Sequence, residues 1–60
     1  MEMSEALSVF LLEDDTALAL GAVYALRSEG FDVIHVTSLN EAKRTLKNLS
    51  IQPDIFLLDC

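Results

Sequence analysis

Two apolar runs in this chain break off into carboxylate. Residues 7–12 (LSVFLL) lead into Glu13, Asp14 and Asp15, and residues 54–58 (DIFLL) lead into Asp59. Carboxylates gathered within a few ångströms repel one another and are driven toward protonation unless a cation compensates. A hard divalent ion with oxygen ligands does so. Mg²⁺ fits better than Ca²⁺, because two or three carboxylates leave room for waters and a phosphate, whereas a dedicated calcium loop supplies six or more ligands from one segment. A solvated helix start, favoured by the helix dipole, is the plainer account of Asp15 taken alone. It explains neither the continuous apolar run before the acids nor a second run that ends in Asp.

The elements that must position these acids follow from the changing period of the apolar residues. Residues 7–12 are almost continuously apolar, as expected of a strand covered on both faces. Asp15 or Thr16 can then cap a helix whose inward stripe is expected at Leu18, Ala22, Ala25, Leu26 and Glu29, with Gly30 ending it. FDVIHVT, residues 31–37, is β-branched and more polar, and suits an edge strand with Val33 and His35 on one face and Ile34 and Val36 on the other. Ser38 and Glu41 make an S-x-x-E capping box, followed by Leu39, Ala42, Leu46 and Leu49 as a helical stripe. Pro53 hands over to a third strand from Asp54 to Leu58, again apolar on both faces.

Strand, helix, strand, helix, strand with short connections predicts a parallel sheet with helices on its faces. The expected class is α/β, a partial flavodoxin-like doubly wound sheet of βαβαβ form with strand order 2-1-3. The crevice then lies where the order reverses, at the carboxyl ends of the first and third strands. Glu13, Asp14 and Asp15 leave one of those ends and Asp59 the other.

Composition narrows the function classes. Sixty residues allow one small domain of marginal stability, and 52% apolar with 23% charged residues is the balance of a core-forming chain. Ten acidic against four basic residues give a net charge of −6, which argues against direct nucleic-acid binding and favours a cation as small partner. The single cysteine, Cys60, cannot form an internal disulfide, and no basic leader or membrane-length apolar run is present, so a cytoplasmic protein with no membrane partner is expected.

VFLLEDD, an amphipathic helix, the GFDV entry to a second strand, and PDIFLLD closing a third together resemble the amino-terminal half of the response-regulator receiver domain of two-component signalling. The resemblance runs from Ser8 to Cys60, and the separation of Asp14 from Asp59 fits the family's register. It implies that Asp59 is the phospho-acceptor, that Glu13 and Asp14 with Asp59 bind Mg²⁺, and that the phosphoryl donor is a sensor histidine kinase or phosphotransfer protein. Asp15 falls at a variable position and stays outside the core site. An aspartyl carboxylate is a competent nucleophile toward a phosphoryl group once metal neutralises the charge, although such a domain is a phospho-acceptor rather than a stand-alone enzyme.

A complete receiver domain is longer and carries a hydroxyl residue and a lysine on later strands, and neither is present here. Residues 1–60 therefore read as a partial, truncated receiver domain with impaired switching, and 1–6 as a disordered amino-terminal segment. The third strand, left with an open apolar edge, invites self-association. Rival readings are an inert interaction or dimerisation fragment, or a flavodoxin-like or phosphatase-type enzyme half-domain. A phosphate-binding turn needs glycines where this chain has EDDT, and a haloacid-dehalogenase-type phosphatase needs a D-x-D that is absent. His35 reads as surface structure and Cys60 carries no role, while Val23 and Tyr24 are open between helix packing and a partner surface.

Overall fold

The computed structural model describes residues 6–50 and 52–59. The expected disordered segment at 1–6 thus falls, except for Ala6, outside the described residues, and so does Cys60. Five elements follow in order: β1 (Ser8–Glu13), α1 (Thr16–Ser28), β2 (Asp32–Val36), α2 (Leu39–Asn48) and β3 (Ile55–Asp59). The strands form one parallel sheet in the order β2-β1-β3. This is the α/β, doubly wound pattern of a partial flavodoxin-like fold, with β1 central and β2 at an edge.

Side chains alternate across β1 and define two cores. Val9 and Leu11 pack with Ala19 of α1 and Val33 of β2 on one face, joined by Ala22, Val23, Leu26, Phe31 and Ile55. Phe10 and Leu12 pack with Val36 and with Ala42 of α2 on the other, joined by Ile34 and Leu46. The alternation expected for Val33, Ile34 and Val36 is therefore the observed one.

Local chemistry sets the helix ends. Asp15 caps α1, its carboxylate accepting from the Leu18 N–H at 3.1 Å. At the other end Gly30 adopts φ +96°, and the Gly30 and Phe31 amides donate back to Arg27 and Leu26 carbonyls. That pair of bonds is the Schellman closure, which needs a left-handed residue and favours glycine. Ser38 caps α2 by accepting from the Glu41 N–H. Glu41 departs from the capping-box expectation, however: its carboxylate takes the N–H and hydroxyl of Thr37, one residue further out, instead of the Ser38 amide. These two bonds, the amide first, hold the Glu41 carboxyl below its usual value.

The inward face of α1 is shifted from the expected one. Leu18 is 61% exposed and Ala25 is exposed, whereas Ala19, Ala22, Val23 and Leu26 face the sheet. That set is also spaced by three and four, so periodicity alone allowed either phase. Ala19 is buried against Val9, Leu11 and Val33, and Leu18 serves the cap with its amide. On α2 the stripe is retained at Ala42 and Leu46, whereas Leu39 at its first turn is exposed and Leu49 falls past the helix as its cap residue in extended backbone.

The third strand begins one residue later than expected, because Asp54 is a clamp and not a strand residue. Its carboxylate accepts from the Ser8 N–H at 2.8 Å while its own N–H donates to the Ser8 carbonyl at 2.9 Å. Pro53 before it is buried. These contacts fix the register in which β3 lies along β1, pairing Val9 with Ile55 through to Glu13 with Asp59.

Candidate functional site

The same register decides which acids meet. Glu13 and Asp59 are Cα partners at the carboxyl ends of adjacent parallel strands. Parallel partners point to the same side of a sheet, so both side chains continue the face of Val9, Leu11, Ile55 and Leu57. Glu13 is 7% exposed, the one buried charged residue among those described, while Asp14, Asp15 and Asp59 are exposed.

The Glu13 carboxylate accepts from the Asp15 N–H at 3.0 Å. That bond favours the charged form and is the largest single influence on it. Burial, a hydrogen bond with the Asp59 carboxyl and the charges of Asp59 and Asp14 act in the opposite direction and prevail, so Glu13 titrates above its usual 4.5. On the other flank, His35 Nε2 lies 2.9 Å from the Glu13 carbonyl oxygen. His35 thus ties β2 to the backbone of a site residue, a role its position on an edge strand did not reveal.

The expected residues divide accordingly. Glu13 and Asp59 are brought together, and Asp14 contributes its charge to Glu13 from an exposed position. Asp15 is engaged in capping. Among the described residues no three His, Cys, Asp or Glu side chains are gathered closely enough to hold a metal ion. The donor chemistry of Glu13, Asp14 and Asp59 is all carboxylate oxygen and suits a hard cation in kind. The sequence carried a signal for the Glu13–Asp59 pair in its parity: Glu13 stands two after Leu11 and Asp59 two after Leu57, so the paired strands put both acids on one face.

Among the described residues no helix is long and apolar enough to cross a membrane. No family model, curated protein or solved structure matches the chain.

Proposed function

We propose that the chain is a phospho-acceptor of the receiver type, taking a phosphoryl group onto Asp59 from a phosphohistidine presented by a sensor histidine kinase or phosphotransfer protein. The observation that supports this reading most is the register pair Glu13 and Asp59 at the carboxyl ends of β1 and β3, where the strand order reverses. In doubly wound sheets that is where ligands bind. Asp59 is the accessible member and Glu13 the buried one, which suits a nucleophile beside a group that tunes charge.

Glu13, Asp14 and Asp59 would hold Mg²⁺, whose positive charge would offset the mutual repulsion of these carboxylates and favour their ionised forms. An Asp59 carboxylate oxygen forms a bond to phosphorus as the phosphorus–nitrogen bond of the donor breaks, and the freed imidazole nitrogen keeps the electron pair and is protonated from solvent. The product is an acyl phosphate.

Intact-mass measurement after incubation with a small phosphoramidate and Mg²⁺ tests the proposal. One phosphoryl adduct is expected on the chain, absent without Mg²⁺ and absent from Asp59→Asn. An adduct that persists in Asp59→Asn would place the acceptor elsewhere and defeat the reading.

A further inference from the structure

We propose that His35 is the positioning residue of the acidic crevice: by donating from Nε2 to the Glu13 carbonyl it fixes the peptide unit between Glu13 and Asp14, and with it the backbone that sets Asp14 beside Asp59. The tie itself follows from the β1–β2 ladder. Its value for holding a cation rests on the phospho-acceptor reading.

The Asp32 N–H donates to the Leu7 carbonyl, and the pairing of β1 with β2 runs from Ser8 with Asp32 to Leu12 with Val36. Backbone groups alternate sides along a strand, so Leu7, Val9, Leu11 and Glu13 turn theirs toward β2. In that ladder the N–H groups of Asp32, Ile34 and Val36 serve the carbonyls of Leu7, Val9 and Leu11. The next carbonyl belongs to Glu13, and no strand residue is left to meet it, because β2 ends at Val36 and Ser38 leaves the sheet to cap α2. Glu13 is 7% exposed, and a buried carbonyl without a donor is costly. The His35 ring supplies the donor, its Nε2 2.9 Å from the Glu13 oxygen. A carbonyl oxygen only accepts, so Nε2 carries the proton.

What this bond controls is set by the plane of the peptide. In a trans peptide C=O and N–H point opposite ways, and the chain has no cis bond among the described residues. With the Glu13 carbonyl held toward β2, the Asp14 N–H is turned toward β3, where Asp59 is the register partner of Glu13. The same turn is held from below at a second point: the Glu13 carboxylate accepts from the Asp15 N–H, and Asp15 caps α1. The acids at 13–15 are thus pinned to α1 through Asp15 and to β2 through His35. At this end of the sheet β2 contributes no carboxylate to the crevice; it contributes the hydrogen bond that orients one.

Residue-resolved amide exchange of the 60-residue chain, without metal and beside a Mg²⁺ titration, tests this. His35→Phe keeps a ring of similar size and loses the donor, whereas His35→Gln places an amide nitrogen near the position of Nε2. In His35→Phe the Asp14 and Asp15 amides should exchange on the order of tenfold faster, a larger change than at Leu11 and Ile34 within the ladder, and Mg²⁺ should bind on the order of tenfold more weakly. His35→Gln should recover most of both. Unchanged exchange at Asp14, equal acceleration at all four amides, or identical behaviour of the Phe and Gln variants would each overturn the proposal. Absence of Mg²⁺ binding in the wild-type chain would count against the phospho-acceptor reading instead, and the exchange pattern then decides this one by itself. A further measurement needs no variant to fold: His35 is the one histidine of the chain, and its ring-nitrogen resonances should show the neutral ring protonated at Nε2. A ring protonated at Nδ1 would exclude the bond.

Discussion

Phe10-Leu11-Leu12-Glu13 and Phe56-Leu57-Leu58-Asp59 differ by one methylene, lie side by side in register, and meet opposite fates. Phe10 is 1% exposed and its neighbour Phe56 45%, while Leu12 is 3% exposed and Leu58 67%. The two rings even touch, their centroids 5.6 Å apart in a tilted arrangement. Nothing in the four residues themselves distinguishes the strands. What distinguishes them is place: among the described residues β1 has a strand on each side and a helix over each face, while β3 pairs with β1 alone, and α1 and α2 pack over β1 and β2. Burial here is a property of topology, and identical apolar chemistry becomes core in one position and exposed surface in the other.

The largest expected effect breaks that contrast by truncating both rings. Phe10→Ala removes a fully buried side chain from the core of Leu12, Val36 and Ala42, at a cost of about 3–5 kcal/mol. Such a loss is comparable to the whole stability of a small domain, so this variant should be largely unfolded at room temperature. Phe56→Ala, already nearly half exposed, should cost about 1–2 kcal/mol and leave a cooperative transition. Urea unfolding followed by circular dichroism compares them. Equal losses would mean that β3 is covered in solution by something as complete as the layers over β1, and the distinction between the strands would not hold.

How far the sequence disclosed this can be followed residue by residue. The element order, the parallel 2-1-3 sheet and the caps at Asp15, Gly30 and Ser38 were legible because each rests on chemistry local to a few residues: the period of apolar side chains, a hydroxyl or carboxylate before a helix, a glycine after one. The phase of α1 was not, since Leu18 and Ala19 both begin stripes of the right spacing, and which of them is buried is settled by how the helix lies on β1 and β2. Asp54 reads as a strand residue until Ser8 is placed beside it. The acids at the crevice were legible as a group, but their pairing depends on register. The sequence groups Glu13, Asp14 and Asp59, and the register makes register partners of Glu13 and Asp59 while Asp14 stays exposed.

An intermediate effect sharpens the contrast at the point where β3 is attached. The Asp54 carboxylate holds the Ser8 amide from an exposed position, so Asp54→Ala should cost about 1 kcal/mol. The loss should not be shared evenly. β1 is held from both sides, whereas β3 is held by the ladder to β1 and this clamp, so amide exchange in Asp54→Ala should speed up at Leu57 and Asp59, whose N–H groups face β1, well before it does at Val9 and Leu11, whose N–H groups face β2. Acceleration of similar size in both strands would show that the sheet opens as one unit and that β3 is no more loosely held than β1.

The smallest effect concerns the two acids that end these strands, and its sign follows from linkage. Glu13 titrates above its usual 4.5 in the folded chain because burial, the bond to Asp59 and the charges of Asp59 and Asp14 outweigh the Asp15 amide. Between the usual value and the raised one, the folded state holds a proton that the unfolded state has released. Stability from this group is therefore greatest below pH 4.5 and falls as pH rises through the raised value. Glu41 behaves in the opposite sense: its carboxyl is lowered, chiefly by the Thr37 amide, so its contribution is present above 4.5 and is lost as pH falls through the lowered value. The two slopes belong to different sides of the titration and can be separated. Glu13→Gln keeps an oxygen for the Asp15 amide and removes the titration, so it should flatten the decline above pH 4.5 while leaving the acid side as it was. Glu41→Gln should flatten the acid side alone. Asp59→Asn removes both the charge and the carboxyl partner that raise Glu13, and should make the decline smaller and bring its end to lower pH without abolishing it, since burial and Asp14 still act. Urea midpoints measured from acid to neutral pH for the four proteins decide the matter. If Glu13→Gln declines above pH 4.5 as steeply as the wild-type chain, the slope does not come from the buried carboxyl that ends β1.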